Sequence, residues 1–437
     1  MSTVPTDPER PPRVVLFIVT SFWAFGELAI AVEFARRLAG TGFRPWFLIP
    51  PTHRGKLAGT GLRHDILIPG AGKLNRMVLR DIQDTHRPAM VVLADFLNFD
   101  FCERHYGLLR EDLDVFDCPI GTFDDFTWGR PGSWLDTYGF RAKYSDDISL
   151  NRIEFRLRPC PLNNPLTPGE HDVWTYPMLD PKESWLDGGG GPGRATRRRE
   201  VRAELGVPAG RPLILLTSAT WQQMHAAYPR VNAFVDACTA MTERLMRLLL
   251  PEASVIAVGP PVLFLDETPA GFHPVGQIDP ESFRRYATAV DLHLSNNIVS
   301  VSLHRLALAG IPSVALFSSL SKVDGQTEWL DSSSRDLSGL AAEVVEKVDY
   351  LYPFRMFPVG WYHFLNSLLA ANPFTEMVAH AEVFREEEAL ETIVALLSDG
   401  PQRRRTEAAR QRYQAALDAL PEPGAILAQI SGARVGS

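Results

Sequence analysis

Short apolar runs recur along the chain, and many of them are followed by turn residues and then by a helix-like pattern. Runs such as MVVLA and PLILL are continuous rather than alternating, which is typical of strands buried on both faces of a parallel sheet. The pattern predicts strands at 14–20, 45–49, 65–68, 90–94 and 118–122 in the first half, and at 212–217, 254–258, 291–295 and 313–317 in the second. Helical patterns, including 74–84, 229–250 and 300–309, lie between many of them. The alternation predicts an α/β protein with two Rossmann-like, doubly wound domains.

Two stretches with poor core-forming composition separate the halves. The Pro-rich stretch at 158–177 and the Gly-rich stretch at 185–200 are interpreted as an interdomain connection. The basic run within 194–199 indicates a solvent-facing helix that ends at Gly206. We therefore predict a disordered tail at 1–12, Rossmann-like domains at 13–180 and 200–400 that face a cleft, a linker at 181–199, and a C-terminal helix and tail at 401–437 that return toward the N-terminal domain.

Composition and charge narrow the classes of function. The formal net charge is −8, which argues against nucleic acid as the main partner, because phosphate binding needs a basic face. No apolar run approaches the roughly 20 residues that span a bilayer, and the N-terminus lacks a signal-peptide pattern. Four scattered cysteines indicate reduced thiols, so we expect a cytoplasmic protein. Their spacing does not form the repeated pairs of a metal site, so we expect no bound metal.

The polar turn after the strand at 291–295 is the first candidate binding site. Ser295, Asn296 and Asn297 end this strand, and a helix begins near Ser300, where Ser300 or Ser302 can cap its free N–H groups. A helix N-terminus attracts anions through these N–H groups and its dipole. The pattern therefore predicts either a phosphate site or an ordinary capped helix.

This segment resembles the nucleotide-sugar half of GT-B glycosyltransferases. The resemblance rests on the order strand, polar turn, helix, Gly310-Ile-Pro312, strand, and a loop with Asp324 and Gln326. It implies that the backbone near Val301 and Ser302 holds a diphosphate, that Asp324 and Gln326 contact the sugar, and that the second domain binds the donor. The strand and turn at 212–220 resemble the opening of that half, which implies further phosphate contacts. The residues assigned to donor binding are Ser218, Thr220, Asn296, Asn297, Ser300, Val301, Ser302, Asp324 and Gln326. Arg305 stands where the family has a ribose-binding Glu, and this departure leaves the donor nucleotide open.

The turn after the first strand is the candidate catalytic site. Gly26-Glu27 opens a helix there, and it resembles the Gly-Glu pair of GT-B members that transfer the acidic sugar Kdo, in which the carboxylate is a general base. Glycosyl transfer needs such a base, since the acceptor hydroxyl loses its proton as it attacks the anomeric carbon. The alternative is a first-turn Glu that only favours the helix.

Aromatic residues flank this candidate base. Phe22, Trp23 and Phe25 share the turn with it, and the loops that hold Asp95 and Asp125 are also rich in aromatic residues. Flat apolar rings beside carboxylates suit a sugar or polycyclic acceptor, and packing between domains is the alternative. Asp95 and Asp125 are the second candidates for the base.

Together these features predict a metal-independent glycosyltransferase that needs no cofactor. It would move a sugar from a nucleotide-sugar donor to a small-molecule acceptor bound by the first domain. The alternatives are a GT-B-type sugar-nucleotide epimerase and an inactive glycosyltransferase-like protein that binds a ligand or a partner enzyme.

Overall fold

The computed structural model describes residues 12–23, 25–127, 150–167, 169–187, 193–218, 220–224, 227, 229–260, 263–323, 326–329, 339–348, 365, 369 and 371–433. These residues form two compact units. Of the described residues, those within 12–127, 150–181 and 416–433 belong to the first unit, and those within 182–415 belong to the second. The predicted tail lies outside the described residues apart from Pro12, as does the stretch 188–192 of the predicted linker.

The first unit contains a seven-stranded parallel sheet with the strand order β3-β2-β1-β4-β5-β6-β7. Its strands are β1 (Arg13–Ile18), β2 (Phe43–Ile49), β3 (Arg63–Ile66), β4 (Met90–Leu93), β5 (Ile120–Phe123), β6 (Phe155–Cys160) and β7 (Val173–Pro177). Its helices are α1 (Gly26–Arg36), α2 (Arg54–Leu57), α3 (Gly72–His86), α4 (Phe96–Phe101) and α5 (Glu103–Tyr106), with 3-10 turns at Pro51–His53 and Arg110–Val115. The order from β3 to β6 is that of a Rossmann sheet, whose direction of winding reverses between β1 and β4.

The second unit contains a six-stranded parallel sheet with the order β10-β9-β8-β11-β12-β15, and an antiparallel hairpin of β13 and β14. Its strands are β8 (Leu213–Thr217), β9 (Ser254–Val258), β10 (Phe272–Gly276), β11 (Leu292–Ser295), β12 (Ser313–Phe317), β13 (Leu320–Val323), β14 (Gln326–Trp329) and β15 (Ala379–Glu382). Its helices are α6 (Arg194–Glu204), α7 (Thr220–Met224), α8 (Pro229–Leu249), α9 (Pro280–Ala287), α10 (Val301–Leu308), α11 (Gly339–Val348) and α12 (Glu386–Leu397), with a 3-10 turn at Pro373–Glu376. This sheet reverses between β8 and β11, so it repeats the Rossmann order.

The central strands are buried on both faces, as their continuous apolar runs predict. In β8, Leu213 and Leu215 belong to one hydrophobic cluster, whereas Ile214 and Leu216 belong to another. Side chains alternate between the two faces of a strand, so helices cover both faces of this sheet. The predicted fold class of two Rossmann-like units is therefore confirmed.

The C-terminal helices return the chain to the first unit, as predicted. Helix α13 (Pro401–Asp418) belongs to the second unit as far as Ala415, and in it Arg410 Nη1 donates to the Leu308 carbonyl oxygen at 3.2 Å. Helix α14 (Pro423–Ala433) follows in the first unit. There Trp174 Nε1 donates to Gln429 Oε1 at 3.2 Å, and Arg37 Nε donates to Glu422 Oε2 at 3.2 Å.

The prediction that 158–177 is a connection is wrong, because the end of β6 and the whole of β7 lie in it. Arg156 and Arg158 alternate with apolar residues in β6, so this strand does not appear in the sequence as a continuous apolar run. Both arginines are accommodated by acids, since Arg158 Nε donates to Asp124 Oδ2 at 3.0 Å and Arg156 Nη1 lies 3.7 Å from the same oxygen.

Candidate active site

The carboxyl ends of β1, β4 and β5 bring together the three predicted catalytic acids. Glu27 follows β1 on helix α1, Asp95 follows β4, and Asp125 follows β5. Charge on Asp95 raises the pKa values of both Glu27 and Asp125, and charge on Glu27 raises the pKa of Asp125. Because β1 and β4 flank the point where the sheet reverses, these acids lie where open α/β sheets bind their ligands.

The two carboxyl oxygens of Glu27 differ in their hydrogen bonding. Asn98 Nδ2 donates to its Oε1 at 2.6 Å. Its Oε2 is buried and accepts no hydrogen bond from any residue that the structure describes. Burial raises the pKa of Glu27 well above its usual value, the charge of Asp95 raises it further, and the Ser21 side chain counters part of the rise. A carboxyl group with a raised pKa and an oxygen that accepts no hydrogen bond is more basic than an exposed one, as a general base requires.

Asp95 has a structural function that the sequence analysis did not assign to it. Its Oδ1 accepts hydrogen bonds from the backbone N–H groups of Leu97 at 2.7 Å and of Asn98 at 2.9 Å, so Asp95 caps helix α4. Burial raises its pKa from 3.8 to about 7, against the lowering effect of these two hydrogen bonds. One oxygen is thus committed to the helix, which makes Asp95 a weaker candidate for the base than Glu27.

Asp125 lies beside a buried ion pair. Its neighbour Asp124 is neutralised by Arg158, whose Nη1 also donates to Glu170 Oε1 at 2.7 Å. Asp125 itself is buried, and its Oδ1 has no hydrogen-bond partner among the described residues. Burial, Asp95, Glu27 and Asp124, in that order, raise the pKa of Asp125 well above its usual value. Asp125 is therefore a second carboxyl group that holds a proton more readily than an exposed one.

Asn163 holds the backbone of this acidic loop. Its Nδ2 donates to the carbonyl oxygens of Asp124, Asp125 and Pro159, each at 3.2 Å. The amide thus joins the end of β5 to the end of β6.

The aromatic turn before helix α1 is half-buried. Trp23 packs edge-on against Phe22 with ring centroids 4.7 Å apart, and Phe25 lies 4.8 Å from the ring of His53. Gly26 opens α1 and is exposed, and an added Cβ atom would meet nothing within 4 Å. Among the residues that the structure describes, no steric contact therefore requires a glycine at this position.

In the second unit, the ends of β8 and β9 approach each other closely. Gly259 has a φ of +139°, and a Cβ atom at this position would lie 3.2 Å from the Ser218 Cβ atom. Thr220 begins α7, and its Oγ1 accepts a hydrogen bond from Gln277 Nε2 at 3.4 Å. Ser218 and Thr220 thus lie with Gln277 at the carboxyl edge of this sheet, at the strand next to its reversal point.

The polar turn after β11 lies on the other side of that reversal point. Asn297 Oδ1 accepts from the Val299 backbone N–H at 3.2 Å, and the backbone N–H of Asn296 donates to the Thr217 carbonyl oxygen at 3.3 Å. The prediction that Ser300 or Ser302 caps the helix is wrong, because their hydroxyl oxygens lie 2.5 Å apart and helix α10 has no side-chain cap. The first turn of α10, which starts at Val301, is therefore not capped by the Ser300 side chain.

The remaining donor-side predictions have mixed outcomes. Asp324 lies outside the described residues. Gln326 is exposed at the start of β14 and pairs with Val323, so a hairpin lies where a loop was predicted. Arg305, which replaces the family's ribose-binding Glu, lies over the Trp185 ring at 5.3 Å and 3.9 Å from Glu183 Oε2.

Two classes of feature are absent from the part of the chain that the structure describes. No group of three or more His, Cys, Asp or Glu side chains there could hold a metal ion. Within the same residues, no helix is both long and apolar enough to cross a membrane.

The sequence analysis missed the residues that hold the acids in place, namely Asn98, Asn163, Arg158 and Asp124. Asn98 had only a positional signal, because it lies three residues after Asp95 in a loop that the sequence analysis had placed at the candidate site. Arg158 and Asn163 gave no signal, since they lie in the stretch that was interpreted as a connection.

Solved structures with the same fold include glycosyltransferases. Arabidopsis thaliana UGT89C1 complexed with quercetin is 12% identical, covers 97% of this chain and 99% of its own, and has a TM-score of 0.54. Spinosyn forosaminyltransferase SpnP is 14% identical over 96% of this chain and 98% of its own, with a TM-score of 0.53. Spinosyn rhamnosyltransferase SpnG is also 14% identical, over 96% and 99%, with a TM-score of 0.50. The two Rossmann-like units are thus those of the GT-B fold, as the resemblance implied.

Comparison with curated proteins finds no matching sequence. A family model, by contrast, matches nearly the whole chain, from residue 34 to residue 436. Its description is a family of unknown function, DUF6365. The match includes Asp95 and Asp125 of the first unit and the carboxyl edge of the second sheet, whereas Glu27 precedes it. The chain therefore belongs to the DUF6365 family.

Proposed function

We propose that the protein is a glycosyltransferase that moves a sugar from a nucleotide-sugar donor to a small-molecule acceptor, with Glu27 as the general base. The observation that carries this proposal is the Glu27 carboxyl group at the reversal point of the first sheet, whose Oε2 is buried and accepts no hydrogen bond from the residues that the structure describes. In the reaction, Oε2 takes the proton of the acceptor hydroxyl as that oxygen attacks the anomeric carbon. The bond from this carbon to the donor phosphate breaks, and the nucleotide leaves with the electron pair.

The second unit supplies what the leaving nucleotide needs. Helix α10 presents an N-terminus without a side-chain cap at the reversal point of its sheet. Backbone N–H groups and the helix dipole stabilise negative charge that develops on a phosphate, which is the contribution a metal ion makes in other enzymes. Ser300 and Ser302 are small enough for a diphosphate to approach this turn. We propose donor binding there, without a metal ion.

The two alternatives predict different products. A sugar-nucleotide epimerase needs no acceptor and returns an isomer of the donor. Arg305 in place of the family's ribose-binding Glu favours an inactive binding protein, but this side chain contacts Glu183 and Trp185 within the second unit. Its presence therefore has a structural explanation and does not by itself indicate lost activity.

The proposal is tested by incubating the protein with UDP-glucose, dTDP-glucose and GDP-mannose, each with quercetin or 4-methylumbelliferone as the acceptor probe. The expected result is an acceptor whose mass increases by one sugar residue, together with release of the nucleoside diphosphate. Thermal stabilisation by the matching nucleotide is expected to reach about 2.7 kcal/mol at a hundredfold excess over its Kd. An epimerised donor without acceptor product would contradict transfer, and so would the absence of stabilisation by all three nucleotides.

The donor site is tested by Ser302→Asp. A carboxylate at the first turn of α10 repels the diphosphate, so nucleotide affinity is expected to fall at least about 100-fold, while the melting temperature changes little. Ser302→Ala is the matched control, because it keeps a small side chain without charge and is expected to change affinity only a few-fold. Isothermal titration calorimetry with UDP and dTDP measures both variants. Wild-type affinity in Ser302→Asp would show that the nucleotide does not bind at this helix.

A further inference from the structure

The contact between Asn98 and Glu27 determines which oxygen of the proposed base is available. Asn98 Nδ2 donates to Oε1 at 2.6 Å, and Oε2 is left buried without a partner among the described residues. An amide N–H group can donate to a carboxylate but cannot take up its proton. The contact therefore fixes the rotation of the carboxyl group and leaves a single oxygen for chemistry.

Asn98 is itself held by the ends of two strands. Its backbone N–H donates to Asp95 Oδ1 at 2.9 Å, directly after β4. The backbone N–H of Phe96 donates to Thr122 Oγ1 at 3.1 Å, and this hydroxyl donates in turn to the Phe123 carbonyl oxygen at the end of β5 at 2.9 Å. The first turn of α4 is thus attached to the sheet on both sides, so the Asn98 amide is presented from a rigid element.

We propose that Asn98 is a positioning residue for Glu27, which holds Oε1 so that Oε2 faces the proton of the acceptor. This inference rests on the proposed function, because it assigns Glu27 the role of the base. The hydrogen bond also favours the ionised carboxylate, since it donates to the charged form. Asn98 therefore has two consequences for the reaction, one for the orientation of the base and one for the pH at which it becomes active.

The groups around Glu27 make this donor important. Asp95 and Asp125 lie near Glu27 at the ends of β4 and β5. The charge on Asp95 opposes the ionisation of Glu27, and the charge on Glu27 opposes the ionisation of Asp125. The thiol of Cys102, after α4, is also close enough for the charge on Glu27 to raise its pKa. A side-chain hydrogen bond from Ser21 also favours the charged form. Burial and the charge on Asp95 already raise the pKa of Glu27, and loss of the Asn98 donor is expected to raise it further.

Removal of the amide is expected to impair the base without unfolding the helix. In Asn98→Ala the backbone N–H still reaches Asp95, so the cap of α4 survives. We expect the turnover number to fall about 10–100-fold through misplacement of the base, with nucleotide affinity unchanged. The acid limb of the rate–pH profile is expected to move upward by about one pH unit. Asn98→Asp, which has the same size but places a second carboxylate on Oε1, is expected to move it further.

The decisive control is the double variant Glu27→Gln/Asn98→Ala. If Asn98 acts through Glu27, its removal has no further effect on turnover in the Glu27→Gln protein. A further loss equal to that seen in the wild-type background would overturn the proposal, because it would show that Asn98 acts independently. An unmoved acid limb in Asn98→Ala would overturn it as well.

A second measurement needs no substrate. The hydrogen bond from Asn98 is stronger when Glu27 is ionised than when it is neutral. The fall in melting temperature caused by Asn98→Ala is therefore expected to be larger at pH 8 than at pH 4. In the Glu27→Gln background this dependence on pH is expected to disappear. Equal losses at both pH values would overturn the positioning of Glu27 by Asn98. A different outcome is that the pH-dependent loss disappears in the Glu27→Gln background while Glu27→Gln itself keeps the wild-type turnover number. This outcome would refute Glu27 as the base, and with it this role of Asn98.

Discussion

Glu27→Gln is expected to lower the turnover number by about 10²–10⁴-fold, the usual contribution of a general base. Glutamine keeps the shape of the side chain and can accept the Asn98 hydrogen bond at its carbonyl oxygen, but it cannot take the proton of the acceptor. Nucleotide affinity is expected to stay within about twofold, because the proposed donor residues belong to the second unit. Steady-state kinetics with the donor and probe acceptor that give product measure the first effect, and calorimetry with the nucleotide measures the second.

Glu33→Gln is the matched control for this prediction. Glu33 lies on the same helix and forms an ion pair with Arg36 at 3.8 Å, so the same chemical change is made away from the acids at the carboxyl edge. Its turnover number is expected to match that of the wild type. Turnover within twofold of the wild type in Glu27→Gln as well would show that Glu27 is not the base, and Asp125→Asn would then be the next variant to measure.

Stability distinguishes a base from a residue that only favours the helix. A first-turn Glu that interacts with the helix dipole contributes about 0.3–1 kcal/mol, which Glu27→Gln would lose at neutral pH. Burial, however, raises the pKa of Glu27, so ionisation costs stability as the pH rises above its unfolded value of 4.5. Glu27→Gln is therefore expected to melt higher than the wild type at pH 8 and at nearly the same temperature at pH 4.

The strands that flank the reversal points could be predicted from local pattern alone. In β4 and β8 every residue is buried, so each strand appears in the sequence as an unbroken apolar run. Such a strand must be followed by a loop at the carboxyl edge of its sheet, and the first polar residues of those loops include Asp95 and Ser218. The positions of these candidates therefore follow from the parallel Rossmann pattern.

Residues that depend on partners distant in the sequence could not be predicted in this way. Asn98 and Glu27 are separated by 71 residues, and only the folded sheet brings the ends of β1 and β4 together. The strand β6 was missed because Arg158 is buried by its pairing with Asp124, 34 residues earlier. A buried arginine resembles a surface residue until its partner is known, since burial of a charge is stable only when it is paired.

Asp95→Asn is expected to stabilise the first unit at pH 8 and to have little effect near pH 3. Burial raises the pKa of Asp95 from 3.8 in the unfolded chain to about 7 in the folded protein. As the pH rises through this interval, the unfolded chain releases its proton first, so the free energy of unfolding falls and the loss is complete above pH 7. The difference of about three pH units corresponds to about 4 kcal/mol, since one unit is worth 1.36 kcal/mol. Asparagine has no charge to bury, so its variant escapes this loss.

Asp95→Ala separates the charge of Asp95 from its function as a helix cap. Asparagine retains an oxygen that can accept from the N–H groups of Leu97 and Asn98, whereas alanine leaves both without the acceptor that the wild type provides. Loss of a cap costs about 0.5–2 kcal/mol, and this cost does not depend on pH. Urea unfolding at pH 3, 6 and 8 is therefore expected to give two parallel curves, with the alanine variant below the asparagine variant by that constant amount. The wild type is expected to approach the asparagine variant at pH 3 and to fall below it at pH 8. If the asparagine variant were instead the less stable protein at pH 8, ionised Asp95 would stabilise the fold, and its hydrogen bonds to the backbone of α4 would outweigh the cost of burial.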